Sequence, residues 1–289
     1  MKILLLGSDG MLGHVVKIYF SEKGDEVLST TRREVNSEYY YDADKNIEGI
    51  EKIIESSKPD VVINCIGILT KLAEERKPLA VKVNSYLPHY LDELSRKYDF
   101  KFLHVSTDCV FDGVEGDYTE KSKPNANDFY GRSKALGEVI NDKNITLRTS
   151  IVGPDPNEKG VGLFKWFMDQ EGAIGGYDKV LWTGVTTVWL ARCMDVALEN
   201  NLTGLQHCVN NETIDKYSLL VLFKKYFDKD IEINHNPEVI SEKTLIRTSE
   251  SFEFDIPSYE EMVSDMRDWV LDHPDVYEHL ISQMGKDAK

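Results

Sequence analysis

The stretch LLLGSDGMLGHVV, residues 4–16, decides the fold, because three glycines join a short apolar run to the start of a helical pattern. Gly7, Gly10 and Gly13 form a G-x-x-G-x-x-G run directly after the strand-like segment KILLL at 2–6. Glycine there lets the backbone turn tightly and approach a pyrophosphate, which lies against the unpaired N–H groups of a helix N-terminus. A merely flexible turn is the alternative, but the strand before the run and the helix after it favour dinucleotide binding. The loop residues expected to bind the dinucleotide are Gly7, Asp9, Gly10, Met11, Leu12 and Gly13.

Strand-like and helical patterns alternate after this loop. Further β-rich segments lie at 60–67, 100–106 and 144–152, and helical patterns lie at 11–21, 47–56 and 81–98. This alternation predicts an α/β fold, a Rossmann-type doubly wound parallel sheet. Beyond 152 the pattern loosens into glycine-rich segments, followed by a helix at 186–200, a strand at 204–209 and helices at about 216–227 and 258–273. We expect a dinucleotide-binding domain at 1–152, with 182–210 packing back on it, and a smaller C-terminal α/β substrate-binding lobe at 153–289.

The composition narrows the classes of partner. The 289 residues contain 34 Lys and Arg against 50 Asp and Glu, a net charge of −16 that disfavours nucleic acid or an anionic membrane as the main partner. The four cysteines are widely spaced and no His/Cys cluster has metal-ligand spacing, so no metal site and no disulfide framework are expected. No apolar run approaches the ~18 residues of a membrane span. A cytoplasmic protein fits these features.

The segment after the second strand bears on the choice of dinucleotide. It supplies Thr30, Thr31, Arg32 and Arg33 where an NAD-binding protein usually places an acidic residue on the ribose 2′-OH. Arginine there accommodates a 2′-phosphate, so the sequence favours NADPH over NADH, with Thr31 and Arg32 as contacts; a solvated arginine pair is the alternative. Other residues expected at the dinucleotide are Asp42 and Ala43 after the third strand and Cys65, Ile66 and Gly67 at the end of the fourth.

The segment DFYGRSKALGE, residues 128–138, carries a tyrosine and a lysine four positions apart. On a helix, Tyr130 and Lys134 lie on one face, where a lysine cation is expected to lower the pKa of the phenol. A surface helix that carries the pair by chance is the alternative reading.

Taken together, these segments resemble the extended short-chain dehydrogenase/reductase superfamily. Within it the chain is similar to the dTDP-4-dehydrorhamnose reductase-like enzymes, which reduce nucleotide-linked 4-keto-6-deoxy sugars. The segments that carry the resemblance are GSDGMLG (7–13), PDVVINC (59–65), VNSYLP (83–88), HVSTDCVFDG (104–113), YTEKSKPNANDFYGRSKALGE (118–138), LRTSIVG (147–153) and WTGVTT (182–187).

The resemblance implies a catalytic set of Thr107, Tyr130 and Lys134. Thr107 would hydrogen-bond a substrate carbonyl, Tyr130 would give it a proton, and Lys134 would hold the nicotinamide ribose while keeping the tyrosine acidic. Strand alternation separates Thr107 from its chemical rival Ser106. Asn84 would support Lys134 in a proton relay or, alternatively, cap a local helix turn.

The resemblance also implies a substrate pocket. Its expected members are Thr107, Asp108, Cys109, Ile151, Trp182, Lys243 and Arg247. Lys243 and Arg247 would meet a diphosphate, with solvent exposure as their alternative, and core packing is the alternative for Trp182. Cys109 stands where many of these reductases have tyrosine, and this departure leaves the identity of the sugar open.

The implied activity is NADPH-dependent reduction of a nucleotide-activated 4-keto-6-deoxy sugar in surface polysaccharide precursor synthesis. Two alternatives stay open, a nucleotide-sugar epimerase of the same superfamily and a cofactor-binding regulatory subunit without turnover. The sequence leaves undetermined the base, the sugar, the stereochemistry of the new hydroxyl and whether the chain forms a homodimer.

Overall fold

The computed structural model describes residues 1–33, 38–252 and 254–285, and a seven-stranded parallel sheet lies at its centre. The strands in chain order are β1 Lys2–Leu6, β2 Glu26–Thr31, β3 Tyr39–Tyr40, β4 Val61–Asn64, β5 Lys101–Thr107, β6 Ile145–Thr149, β7 Ile151–Val152, β8 Gly172–Tyr177, β9 Val180–Trp182, β10 Val185–Thr186, β11 Gly204–His207, β12 Ile214–Asp215, β13 Ile231–Asn236 and β14 Ser241–Glu242. The central sheet has the order β11-β6-β5-β4-β1-β2-β3, and every neighbouring pair is parallel. The Rossmann-type sheet predicted from the sequence is confirmed.

Helices connect the strands and cover the sheet. They are α1 Gly13–Glu22, α2 Gly49–Ser57, α3 Thr70–Glu75, α4 Lys77–Ala80, α5 Leu87–Tyr98, α6 Phe129–Leu136, α7 Leu163–Met168, α8 Thr187–Glu199, α9 Lys216–Tyr226, α10 Tyr259–Asp272 and α11 Pro274–Gln283. In the described residues, no helix has both the length and the apolar character needed to cross a membrane.

Two buried clusters lie on opposite faces of the sheet, and β1 contributes to both. Ile3 and Leu5 belong to the cluster that contains residues of α1 and α8, whereas Leu4 and Leu6 belong to the cluster that contains residues of α2 and α5. Side chains alternate along a strand, so a continuous apolar run such as KILLL is what a strand buried on both faces requires.

Two of the expected elements are interrupted. The helix expected at 81–98 begins as a π-helix at Val81–Tyr86 and continues as α5, with Pro88 in the first turn of α5. Proline has no N–H to give to the preceding turn, which accounts for the change of helix type at this point. The strand expected at 144–152 ends at Thr149, because the Ser150 carbonyl accepts a hydrogen bond from the Val185 N–H and β7 pairs with β10 instead.

The later part of the chain contacts the first half at the β6 edge of the central sheet and at α1. β11 adds to the central sheet beside β6, and small sheets join β12 and β14 to β9 and β13 to β8. At the start of α1, His14 Nε2 lies 2.6 Å from the Tyr277 hydroxyl of α11, which also accepts a hydrogen bond from Trp269 Nε1 at 3.0 Å. Burial lowers the pKa of His14 to about 4, so this contact is made by a neutral imidazole.

Candidate active site

The glycine loop between β1 and α1 has the backbone geometry that its sequence predicts. Gly7 has a φ of +84°, and the Gly10 N–H donates to the Gly7 carbonyl at 3.2 Å. A Cβ on Gly13 would lie 2.0 Å from the Gly7 oxygen, so only glycine allows α1 to begin this close to the strand. The N-terminus of α1 therefore faces the space above the loop, where a pyrophosphate is favoured.

A cavity of about 560 Å³ opens beside this loop at the carboxyl ends of β1, β2 and β4. Ten residues expected at a dinucleotide line it, namely Gly7, Asp9, Gly10, Thr31, Arg32, Asp42, Ala43, Cys65, Ile66 and Gly67. The six that do not line it are Met11, Leu12, Gly13, Asn84, Tyr130 and Lys134. Leu12 is buried in the core. Tyr130 and Lys134 lie at the neighbouring strand β5, so the residues expected at the dinucleotide do not all line this one cavity.

The arginine pair after β2 lies at this cavity, but its two members differ. Arg33 donates from Nη2 to Asn157 Oδ1 at 2.9 Å, and its Nε lies 3.9 Å from Asp9 Oδ2. The Thr31 hydroxyl donates to the same Asp9 oxygen. Arg32 lines the cavity as an exposed side chain, the position from which a guanidinium can meet a phosphate.

Sequence reasoning missed a second charged pair at the mouth of the cavity. Arg76 donates from Nη2 to Asp44 Oδ2 at 3.0 Å, and both residues line the cavity together with Asp42. They come from two different connections, and neither has a motif around it that could have marked it.

At the end of β5, Ser106 and Thr107 point in opposite directions, as strand alternation predicts. The Ser106 hydroxyl donates to Glu138 Oε1 at 2.6 Å in the core. Thr107 Oγ1 donates to Asp108 Oδ1 at 3.0 Å and accepts from the Cys109 N–H at 3.1 Å, and it lies near enough to the Tyr130 phenol to lower the pKa of that phenol. Of the two, Thr107 is therefore the hydroxyl that the structure brings to the tyrosine.

Two local features place Tyr130 in the first turn of α6. The Asp128 carboxylate caps the helix by accepting from the Gly131 N–H at 2.8 Å. A Cβ on Gly131 would lie 2.0 Å from the Cys109 carbonyl oxygen, so glycine is required for α6 to approach β5. Gly137 has the same role at the other end of α6, where a Cβ would lie 1.9 Å from the Asn84 carbonyl oxygen.

The expectation that Lys134 lowers the pKa of Tyr130 below its usual value is wrong in this structure. Burial raises the pKa of Tyr130 above its usual range, and the nearby Thr107 hydroxyl lowers it only in part. Sequence spacing shows that a lysine and a tyrosine share a helix face, but it does not show the burial of the hydroxyl, which has the larger effect here.

The Lys134 ammonium lies against strand β5, the strand that ends at Thr107. It donates to the Val105 carbonyl at 2.7 Å and lies 3.4 Å from His104 Nε2. Burial lowers the pKa of Lys134 to about 8, against the opposing effect of Glu138 and Cys65. Burial likewise raises the pKa of Cys65 to about 12, which leaves that side chain a neutral thiol.

Asn84 links three segments of the chain, and its part in a proton relay stays a prediction. Asn84 accepts from the Ile68 N–H at 2.8 Å and donates to the Ile68 carbonyl at 2.9 Å and to the Ser133 hydroxyl at 3.0 Å. The side chain thus joins the π-helix to the loop after β4 and to α6, rather than capping a turn or contacting Lys134.

The short turn Asp108–Val110 after β5 is approached by two lysines. Lys243 lies near enough to Cys109 to lower its pKa, although burial has the larger effect and raises that pKa to about 12. Lys216, at the start of α9, lies near both Asp108 and Cys109, and its Nζ lies 4.5 Å from the centre of the Trp182 ring. Burial lowers the pKa of Lys216 to about 8. Lys216 was missed because a lysine at a helix start has no distinguishing pattern in a sequence.

The other residues expected at the substrate divide into two groups. Trp182 and Ile151 lie in or against the main core cluster, which is the packing role weighed for Trp182, yet the buried Trp182 Nε1 has no hydrogen-bond partner within the described residues. Arg247 lies over Phe252 at 5.3 Å and beside Cys193, not at the turn after β5. Across the ranges 1–33, 38–252 and 254–285, no group of three or more His, Cys, Asp or Glu side chains is arranged to hold a metal ion.

This fold and this site define a protein of the short-chain dehydrogenase/reductase class. The profile of the family described as RmlD substrate binding domain matches residues 1–237, and the chain belongs to that family.

Several known proteins resemble this one. The dTDP-4-dehydrorhamnose reductase of Aggregatibacter actinomycetemcomitans is 34% identical over 156 residues, 52% of this chain and 51% of that protein. The methionine adenosyltransferase 2 subunit beta of Xenopus tropicalis is 28% identical over 47% of this chain and 41% of that protein. The chain thus spans about half the length of these curated relatives. Among solved structures, a dTDP-4-dehydrorhamnose reductase from Clostridium acetobutylicum has a TM-score of 0.79 and 25% identity, covering 94% of this chain and 100% of that one.

Proposed function

We propose that the protein reduces the 4-keto group of a nucleotide-activated 4-keto-6-deoxy sugar with NADPH, in the synthesis of surface polysaccharide precursors in the cytoplasm. The observation that carries this proposal is the proximity of the Thr107 hydroxyl to the Tyr130 phenol, with the Lys134 ammonium buried nearby. Relatives named dTDP-4-dehydrorhamnose reductase support the reaction class.

The residues present fit a nicotinamide dinucleotide. The Gly7–Gly13 contact leaves room for a pyrophosphate at the start of α1, and the adjoining cavity of about 560 Å³ has Arg32 at the end where a 2′-phosphate would lie. Such a cofactor supplies the hydride for the reduction. Residues 153–289 would supply the lobe that binds the sugar nucleotide.

The protein side chains would manage the proton and the charge on the substrate oxygen. The raised pKa of Tyr130 keeps the phenol protonated at neutral pH, which is the form that gives a proton to an oxygen as negative charge develops on it. Thr107, which is buried, would present a second hydroxyl to that oxygen beside the partly buried Tyr130.

Charge near the turn after β5 fits an anionic substrate. The whole chain carries −16, yet Lys216 approaches Asp108 and Cys109, and Lys243 approaches Cys109. Two cations next to the proposed reaction site would attract a nucleotide diphosphate in spite of the overall negative charge.

The test is to follow NADPH oxidation with a panel of nucleotide-linked 4-keto sugars and to identify the reduced sugar. The proposal predicts stoichiometric NADP⁺ and a new hydroxyl at C4 for at least one substrate. Interconversion of sugar epimers without net NADPH oxidation would instead establish the epimerase alternative.

A regulatory role without turnover is the second candidate. The observation that favours it is the similarity to the methionine adenosyltransferase 2 beta subunits over almost half of this chain. Dinucleotide binding without oxidation by any member of the panel, together with a change in the activity of a methionine adenosyltransferase when the two are mixed, would support it. Net reduction of a sugar nucleotide would exclude it as the only role.

A further inference from the structure

Asn157 lies in the loop between β7 and α7, outside the domain that the sequence predicts to bind the dinucleotide, yet it lines the dinucleotide cavity. Its Nδ2 donates to the Asp9 carbonyl of the glycine loop at 3.1 Å. Its Oδ1 accepts from Arg33 Nη2 at 2.9 Å. A single side chain from the later part of the chain thus joins the phosphate-binding loop to the arginine pair after β2.

The loop itself fixes the orientation of the Asn157 carboxamide. The buried Asp155 carboxylate accepts from the Asn157 backbone N–H at 2.9 Å and from its Nδ2 at 3.0 Å. Both Nδ2 hydrogens therefore have oxygen acceptors, Asp155 Oδ1 and the Asp9 carbonyl. The remaining polar atom, Oδ1, is the acceptor that faces Arg33, so the donor and acceptor ends of the amide are determined by their neighbours.

A neutral acceptor has a particular consequence for Arg33. A carboxamide oxygen orients a guanidinium through one of its five N–H donors without cancelling its charge. Asp9 lies on the other side, with Oδ2 3.9 Å from Arg33 Nε, and a full salt bridge there would reduce the positive potential at the adenosine end of the cavity. Arg33 makes its shorter contact with the neutral Asn157 oxygen, at 2.9 Å, and its longer contact with the Asp9 carboxylate.

We propose that Asn157 is a positioning residue that sets the selectivity of the cavity for a 2′-phosphorylated adenosine, by holding the Arg33 guanidinium oriented beside Arg32. This inference rests on the proposed use of NADPH. It assigns part of the selectivity to a loop outside the N-terminal βαβ units.

The experiment compares two ligands that differ only in the 2′-phosphate, 2′,5′-ADP and 5′-AMP, titrated calorimetrically into the full-length protein without substrate. Asn157→Asp keeps the shape of the side chain, adds a charge that pairs with Arg33 and repels phosphate, and replaces the amide donor to Asp155 and to the Asp9 carbonyl by an acceptor. Asn157→Ala removes the acceptor for Arg33 together with the two Nδ2 donor contacts to Asp9 and Asp155. Asn234→Asp, on the exposed part of strand β13, makes the same change in charge far from the cavity and is the matched control.

A charge-assisted contact typically corresponds to a tenfold or larger change in affinity, so Asn157→Asp should weaken 2′,5′-ADP about tenfold or more and 5′-AMP less than about twofold. Asn157→Ala should also reduce the preference for 2′,5′-ADP over 5′-AMP, by a smaller factor. Asn234→Asp should leave this preference unchanged. Equal weakening of both ligands by the Asn157 variants would overturn the inference, because a purely structural loop would act on the whole site. An unchanged preference in both variants would overturn it as well.

These outcomes are separate from the test of turnover. A parent protein that binds 2′,5′-ADP no more tightly than 5′-AMP would contradict the NADPH preference itself, and the inference with it. A parent protein that prefers 2′,5′-ADP but reduces no sugar nucleotide would refute the proposed reaction and leave the role of Asn157 supported.

Discussion

Glu138 accepts two hydrogen bonds from Arg148, from Nε at 2.8 Å and from Nη2 at 2.6 Å, in a pair whose side chains are almost fully buried. The same carboxylate accepts from Ser106, the residue before Thr107, and it raises the pKa of Lys134 against the effect of burial. This ion pair therefore connects β5, β6 and the helix that carries Tyr130.

Glu138→Gln should strongly destabilise the protein, because it leaves the Arg148 guanidinium buried without its counter-charge. Breaking a buried pair in this way costs about 3–5 kcal/mol of unfolding free energy. Glu75→Gln is the matched control, since it removes a carboxylate from the exposed pair with Lys71, and such pairs contribute less than about 1 kcal/mol. Urea unfolding of the two variants measures both values, and similar losses for the two would show that the buried pair has no special role.

Stability should fall when the pH is lowered from 7.5 to 5. Burial lowers the pKa of His14 and of His207 to about 4, and that of His104 well below its usual value. The unfolded chain takes up protons on these residues near pH 6.5 and the folded chain does not, so their contribution is complete above pH 6.5 and is lost as the pH falls toward 4. The loss is about 1.4 kcal/mol per pH unit for each histidine.

Unfolding free energies measured between pH 7.5 and 5 test this expectation. His14→Gln should reduce the dependence of the unfolding free energy on pH. His235→Asn, at an exposed position on β13, should leave that dependence unchanged. A free energy that stays constant over this range would mean that the buried histidines accept protons in the folded protein.

Arg32→Ala should narrow the preference for NADPH over NADH. Arg32 lines the cavity at the end of β2, where its guanidinium can meet a 2′-phosphate. The loss should appear as weaker NADPH binding, about tenfold for one charge-assisted contact, with NADH affected far less. Fluorescence titration of both dinucleotides measures the ratio, and tighter NADH binding by the parent protein would contradict the cofactor assignment.

Lys243→Ala should raise the KM for the sugar nucleotide about tenfold or more, with kcat less affected, because it removes a charged contact to the substrate diphosphate. Arg247, expected at the same subsite, lies over Phe252 and has a buried Nη1 without a hydrogen-bond partner in the described residues. Steady-state kinetics of Lys243→Ala and Arg247→Ala should therefore separate the two residues. A KM that rises with Arg247→Ala and not with Lys243→Ala would reverse this assignment.

Patterns among neighbouring residues predicted the fold and most of the residues that line the cavity beside the glycine loop. The Gly7–Gly13 run, the apolar strands and the Tyr130–Lys134 spacing depend on neighbours in the chain, which a sequence displays directly. Strand alternation predicts that Ser106 and Thr107 face opposite sides, and the resemblance selects Thr107; the structure places the two side chains on opposite sides.

The rest of the site depends on contacts between distant segments. Asn157 reaches Asp9 and Arg33 across more than 120 residues, and no local pattern around it indicates that contact. Lys216 approaches Asp108 only because α9 packs beneath Trp182. The raised pKa of Tyr130 was likewise hidden, because burial is a property of the folded chain and not of helix spacing.

The most direct test of the account is the turnover of Tyr130→Phe, which removes the phenol proton and leaves the ring, the glycine loop and Lys134 in place. Positioned acid catalysis contributes about 10²–10⁴ in rate, so NADPH oxidation measured by stopped flow should show kcat reduced by at least that lower factor while NADPH affinity is nearly unchanged. If the variant retained more than about a tenth of the parental turnover, Tyr130 would not be the proton donor.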